Sequence, residues 1–191
     1  MSSSSCFGMA GHLAAMSEFL LRGYNVAIPY VDRGDDILTI EDSDSLIRRI
    51  QVKTSKPLGC LRSHCNGCRI CRGEAHRLKY TLKAQQLRSP DRNTFLFYMF
   101  MWRSEERWSW ILIPRMDLKV LRDDAEDRGR ARDLASEELT LDIAVDRRTL
   151  VPTLWEFPLT PYFNRWSKEW PPLPRTLTDD LPANDPPSRH S

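Results

Sequence analysis

The run Thr94-Phe-Leu-Phe-Tyr-Met-Phe-Met-Trp102 is unbroken in apolar character after its first residue. A strand with no polar face cannot border water on either side, so this run predicts the inner strand of a sheet covered on both faces. That constrains the whole chain to a layered architecture, and Trp108 to Pro114 supplies a second buried run, joined through a hairpin turn at Arg103 to Arg107. The chain has 191 residues, enough for one core of ordinary domain size. No stretch approaches the roughly 18 uninterrupted apolar residues of a membrane-spanning helix. The start Met1-Ser-Ser-Ser-Ser5 lacks the basic flank and apolar run of a secretory signal. The expectation is a soluble, cytoplasmic protein with no membrane partner.

Upstream of the buried runs, apolar residues recur at helical spacing from Gly11 to Arg22, and Gly23 stands where a left-handed residue would end a helix. Tyr24 to Pro29 reads as a short strand, Asp36 to Ile40 as a second, and Leu46 to Thr54 as a third that closes a hairpin with it. After Lys56-Pro57 a Cys-rich loop interrupts the pattern, which resumes with a brief strand at Leu78 to Leu82 and a short helical piece around Ala84 to Leu87. From Asp117 to Ser136 mixed charges predict an exposed helix or loop, and Leu139 to Val145 alternates as a late strand. Beyond Trp155, aromatics and prolines (including Tyr162, Phe163, Trp166 and Trp170) suggest an irregular strap across the domain. The domain is expected over 7–170 with the inserted loop at 57–76, and the proline-rich tail 171–191 is expected to be disordered.

The polar residues of the hairpin form a candidate site. Asp36 opens one strand; Gln51 and Lys53 are two apart on the next, so their side chains share a face, while the Val52 carbonyl is available as a further oxygen ligand. Mg²⁺ takes one or two carboxylates from a protein and keeps several waters, and cleavage of a phosphodiester needs a cation or base beside the attacking water. Glu18 on the preceding helix could complete such a site. Asp35 and Asp32 compete with Asp36, which is preferred because it directly precedes the apolar strand.

Glu in a first helix, then Gly23-Tyr-Asn-Val26, Asp32-Arg-Gly-Asp-Asp-Ile37 and Gln51-Val-Lys-Thr54 together resemble the PD-(D/E)xK nuclease superfamily, in its variant with Gln as the third-motif polar residue. The resemblance covers about Gly11 to Thr54 by motif. It implies a restriction-endonuclease-like α-β-β-β-α-β core with a mixed sheet, an α/β class of fold, and Mg²⁺- or Mn²⁺-dependent cleavage of DNA, double-stranded by preference. A role in restriction or defence against foreign DNA follows by the same analogy, as does a homodimer. It casts Asp36 as metal ligand, Gln51 as ligand or water-positioner, Lys53 as the cation facing the developing phosphorane charge, and Glu18 as the helix carboxylate. Many relatives carry that helix acid nearer the helix start, where this chain has His12.

Cys60-x4-Cys65-x2-Cys68-x2-Cys71 places four of the five cysteines in one loop of a protein expected in a reducing compartment. Four thiolates at that spacing suit a structural Zn²⁺, with an iron–sulfur cluster as the rival and His64 or His76 able to replace a thiolate; Cys6 stands apart. The net charge of +2 hides an asymmetry, since Leu46 to Arg92 carries twelve Lys and Arg against two acids. Arg49, Lys56, Arg62, Arg69, Arg72, Arg77 and Lys79 are therefore candidates for phosphate contacts. The alternative to an endonuclease is a non-catalytic module that binds nucleic acid or protein on the same fold, and Gln51 in place of an acid keeps that reading open.

Overall fold

The computed structural model describes residues 3–30, 35–41, 46–58, 74–88, 96–104, 106–129 and 137–164. Helix α1 (Ser3–Leu20) is followed by strands β1 (Asn25–Ala27), β2 (Ile37–Ile40), β3 (Ile47–Ser55) and β4 (Ala75–Lys83). Helix α2 (Ala84–Arg88) leads into β5 (Leu96–Ser104), β6 (Arg107–Pro114) and helix α3 (Arg115–Asp127), and β7 (Glu138–Asp146), β8 (Pro152–Leu154), β9 (Phe157–Pro158) and a 3-10 turn at Thr160–Tyr162 complete the order. No helix among the described residues is long and apolar enough to cross a membrane.

Two sheets result. The first runs β1-β2-β3-β5-β6, antiparallel except where β3 and β5 lie parallel; the second runs β4-β7-β8-β9. The continuous apolar strand β5 sits inside the first sheet, as a strand buried on both faces must, and Leu96 to Trp102 is buried throughout. Alternation divides its side chains between two cores. Phe97, Met99 and Met101 join Ala15 and Phe19 of α1 and Ile50 of β3. Tyr98, Phe100 and Trp102 join Leu78, Tyr80 and Leu82 of β4 and Leu141 and Ile143 of β7. Helix and second sheet thus cover opposite faces of one sheet. With β4 set aside, the order α1-β1-β2-β3-α2-β5 is compatible with the anticipated mixed α/β core.

Four expectations need correction. The first helix begins at Ser3 rather than near Gly11, because the packing of Phe7 outweighs the weak helical propensity of the serines before it. Phe7 lies 5.4 Å from the Trp108 ring, and the Lys56 ammonium sits 5.1 Å above Phe7. The helix ends as anticipated: Gly23 has φ +82°, and Gly23 and Tyr24 donate to the Leu20 and Phe19 carbonyls at 3.0 and 3.2 Å, the paired bonds of a Schellman motif. The brief strand at Leu78 to Leu82 is in fact nine residues long and leaves the first sheet to pair with β7 over its whole length. The charged segment after Asp117 starts as a true helix whose Leu118 and Ala125 are buried. The strap beyond Trp155 includes an ordered return strand, and its Tyr162 hydroxyl donates to Asp117 Oδ2 at 2.8 Å. Trp166, Trp170, the cysteine loop and the tail lie outside the described residues.

Candidate active site where the second strand leaves the sheet

Strand β3 carries two functional faces in alternation. Its parallel register with β5 sets Ile50 beside Phe97 and Val52 beside Met99, on the α1 side. Gln51 lies beside Tyr98, Lys53 beside Phe100 and Ser55 beside Trp102, on the side of the second sheet. Gln51 and Lys53 therefore share a face, as their spacing in the sequence requires. Between them, the Val52 N–H points in the plane of the sheet, towards β2.

At this point β2 departs. Ile37 pairs with Ile50, yet the Asp36 N–H also donates to the Ile50 carbonyl at 2.9 Å, so two residues of one strand address a single residue of the other. Such a bulge ends regular pairing and re-aims the extra side chain. Asp36 turns its carboxylate onto β3: its Oδ2 accepts the Val52 N–H at 2.7 Å, in the position the next ladder carbonyl would have taken. N–H and C=O of one strand residue point to the same side, so the Val52 carbonyl is directed to this edge as well.

The surroundings separate the two adjacent acids. Asp35 Oδ2 accepts from Arg49 Nε at 2.6 Å and is thereby spent on an ion pair, while Asp36 addresses the strand that bears Gln51 and Lys53. Asp32 lies outside the described residues. Gln51 is only 4% exposed, and its Oε1 is buried without a hydrogen-bond donor. Among the described residues Lys53 is half-buried and has neither an ion-pair partner nor a side-chain hydrogen bond. Beside Gln51, the Tyr98 hydroxyl is also buried without a partner, and burial pushes its pKa up to about 12, with Asp35 adding to the rise and Arg115 opposing it.

The helix contributes differently from the sequence reading. Glu18 pairs with Arg22 one turn on, Oε2 to Nη1 at 2.7 Å, with both side chains about one-third exposed. It is His12 that reaches the hairpin, its Nε2 lying 3.0 Å from the Asp36 carbonyl oxygen. A carbonyl only accepts, so that nitrogen carries the proton. Six residues of α-helix separate His12 from Glu18 by about 9 Å along the axis and about 120° around it, which sets them on different faces. No local sequence signal separates His12, in the middle of α1, from Glu18.

Among the described residues no group of three or more His, Cys, Asp and Glu side chains is placed to hold a metal ion. A hard cation here would have to draw on one carboxylate, an amide oxygen and a backbone carbonyl. Asp36, Gln51 and Val52 offer those three donor types, and among the described residues the buried Gln51 Oε1 is an acceptor lacking a donor. Of the proposed phosphate contacts, Arg49 is paired with Asp35, and exposed Arg77 is held in a bidentate pair by Asp142 at 2.9 and 2.8 Å. Lys56 and Lys79 are exposed, the former over the Phe7 ring. His76 lies on β4 opposite Val145. Arg62, Arg69, Arg72, His64 and Cys60, Cys65, Cys68 and Cys71 fall outside the described residues.

No protein-family model matches the chain, and no curated protein matches it. Among solved structures it is similar to that of a bacterial homing endonuclease, I-Ssp6803I, with a TM-score of 0.41 and 20% identity over 74% of this chain and 76% of the other.

Proposed function

We propose that the protein is a metal-dependent endonuclease that hydrolyses phosphodiester bonds of DNA, with Asp36, Gln51 and Lys53 as its working set. The observation that carries this reading is the 2.7 Å bond from the Val52 N–H to Asp36 Oδ2, which fixes an acid against the strand segment that presents an amide and an ammonium. Asp36, the Gln51 amide oxygen and the Val52 carbonyl would hold Mg²⁺ or Mn²⁺. When bound, that ion supplies Lewis-acid polarisation of the phosphate and a more acidic water. Lys53, unpaired among the described residues, is available to hold the attacking water and to meet the charge that builds on the phosphate in the transition state. His12 sets the Asp36 backbone from the helix side. Glu18 can contribute only if its ion pair with Arg22 opens.

A second reading, nucleic-acid binding without cleavage, is favoured by one observation: among the described residues Asp36 has no cluster of other acids or histidines around it. A nicking assay on supercoiled DNA with Mg²⁺, Mn²⁺ or EDTA separates the two. The endonuclease reading expects nicking that needs metal and disappears in Asp36→Ala and Lys53→Ala proteins that remain folded. DNA binding with no nicking under any metal condition selects the binding module.

A further inference from the structure

Two buried oxygens with complementary needs belong to neighbouring residues beside the candidate site. Gln51 and Tyr98 are register partners on the parallel strands β3 and β5, so their side chains stand side by side on one face, with the strands about 4.8 Å apart. Gln51 is 4% exposed and Tyr98 fully buried. Gln51 Oε1 is an acceptor without a donor, and the Tyr98 hydroxyl has no partner at all. Native interiors satisfy nearly all such groups, so two adjacent exceptions call for a partner.

The chemistry of an amide explains why the second group would matter. A glutamine can present either its oxygen or its NH₂ to a neighbour, and only the oxygen can face a cation. Nothing in β3 itself selects between the two orientations. A hydroxyl beside the amide does, because a donated hydrogen can go to Oε1 alone. That oxygen has two lone pairs, one for the hydroxyl and one for the cation. Tyr98 keeps its proton far above neutrality and so is a donor under all ordinary conditions. Among the charged groups that act on the Tyr98 hydroxyl are Arg115, which favours its ionisation, and Asp35, the neighbour of Asp36, which opposes it.

We propose that Tyr98 is a positioning residue of this site: in the loaded state its hydroxyl donates to Gln51 Oε1 and pins the amide so that its oxygen, not its NH₂, faces the cation. The proposal rests on the endonuclease-type metal site described above. A merely structural hydroxyl makes a different prediction, since an unpartnered buried OH contributes nothing that Phe would lose.

Mn²⁺ titration calorimetry on the full chain tests it with four proteins: wild type, Tyr98→Phe, Gln51→Glu and the double variant. In the Gln51 background, loss of one donated hydrogen bond should weaken Mn²⁺ binding about threefold to tenfold, with the thermal midpoint unchanged or higher. In the Gln51→Glu background both side-chain oxygens are acceptors, no orientation needs choosing, and the Tyr98→Phe effect should fall below about twofold. Equal Mn²⁺ affinity in wild type and Tyr98→Phe overturns the proposal while leaving the metal site intact. An equal loss in both backgrounds overturns it too, assigning Tyr98 to general packing. If wild type itself binds no Mn²⁺, the metal-site reading fails and this proposal falls with it.

Discussion

Gly11 of α1 rests directly on Thr54 of β3: a Cβ at Gly11 would collide with Thr54 Cγ2 and stand 3.3 Å from Thr54 Cβ and 3.4 Å from the Trp108 ring. The missing side chain lets the helix cross the strand that carries Gln51 and Lys53, one residue before His12 reaches Asp36. Gly11→Ala gains up to about 1 kcal/mol of helix propensity but forces a stiff β-branched neighbour aside, an overpacking cost of about 1–3 kcal/mol. Urea unfolding should therefore show a less stable protein. Adding Thr54→Ser, which removes the colliding methyl, should recover most of the loss; a Gly11→Ala protein as stable as wild type would mean that helix and strand are not this close.

Asp36 combines a structural bond with a charge, and asparagine separates the two. Asp36→Asn retains a side-chain oxygen able to accept from Val52, so the fold should hold, with a thermal midpoint within a few degrees of wild type. The negative charge needed by a hard cation is gone, and metal-dependent nicking should drop by at least about a hundredfold. Asp36→Ala loses both, so it should be inactive and also less stable than Asp36→Asn. Nicking that survives in Asp36→Asn would remove this residue from the metal site.

The helix–hairpin–strand series was legible because each piece has a local signature: the glycine that stops α1, the alternation of Ile47, Ile50 and Val52, and the two-residue spacing of Gln51 and Lys53. Asp35 and Asp36 have different hydrogen-bond partners, and the feature that separates them, the bulge at Ile37 and Ile50, leaves no trace in composition. Glu18 was selected for its chemistry, and no sequence pattern shows that Arg22 already occupies it. The second sheet escaped detection because the pairing of β4 with β7 joins Leu78 to Ile143 at a sequence separation of 65, beyond any local pattern. Tyr98 was hidden inside the apolar run that defined β5, where only the hydroxyl left unpaired at Gln51 gives it away.

Basic residues near the site should differ in what they do for DNA affinity. The Arg77 charge is neutralised by a two-pronged bond to Asp142, whereas exposed Lys79 has no carboxylate bonded to its ammonium among the described residues. Each phosphate contact adds about 0.9 to the slope of log K against log salt, so Lys79→Ala should flatten that slope by about one and Arg77→Ala should barely change it. Fluorescence anisotropy on a short duplex over a salt series makes the comparison. The reverse order would mean that the Arg77–Asp142 pair opens on DNA and frees the guanidinium for a phosphate.

The cysteine cluster falls outside the described residues, but the chain on either side of it is tied together. Leu58 donates to the Arg77 carbonyl at 2.8 Å and Arg77 returns a bond to Leu58 at 3.3 Å. Ligands between two joined chain ends have less closure entropy to overcome when they gather on one ion. Elemental analysis of protein purified without added metal should find zinc in about a one-to-one ratio, lost in a Cys65→Ser, Cys68→Ser double variant. Iron with labile sulfide would select the cluster instead, and neither metal would leave the thiols without a ligand role.

Alkaline unfolding offers a test of the buried environment of Tyr98 that does not depend on catalysis. Its folded pKa is pushed up to about 12 by burial, while in the unfolded chain a tyrosine ionises near about 10. Below that unfolded value both states hold the proton and its stabilising effect is complete. As pH rises through the interval between the two values only the unfolded state ionises, and stability falls by about 2–3 kcal/mol. Tyr80, also buried and raised, acts in the same direction in every variant, so the difference between wild type and Tyr98→Phe isolates one residue. Urea midpoints measured from pH 8 upwards should converge on a steeper decline for wild type than for Tyr98→Phe; parallel curves would mean that the Tyr98 hydroxyl is in contact with water.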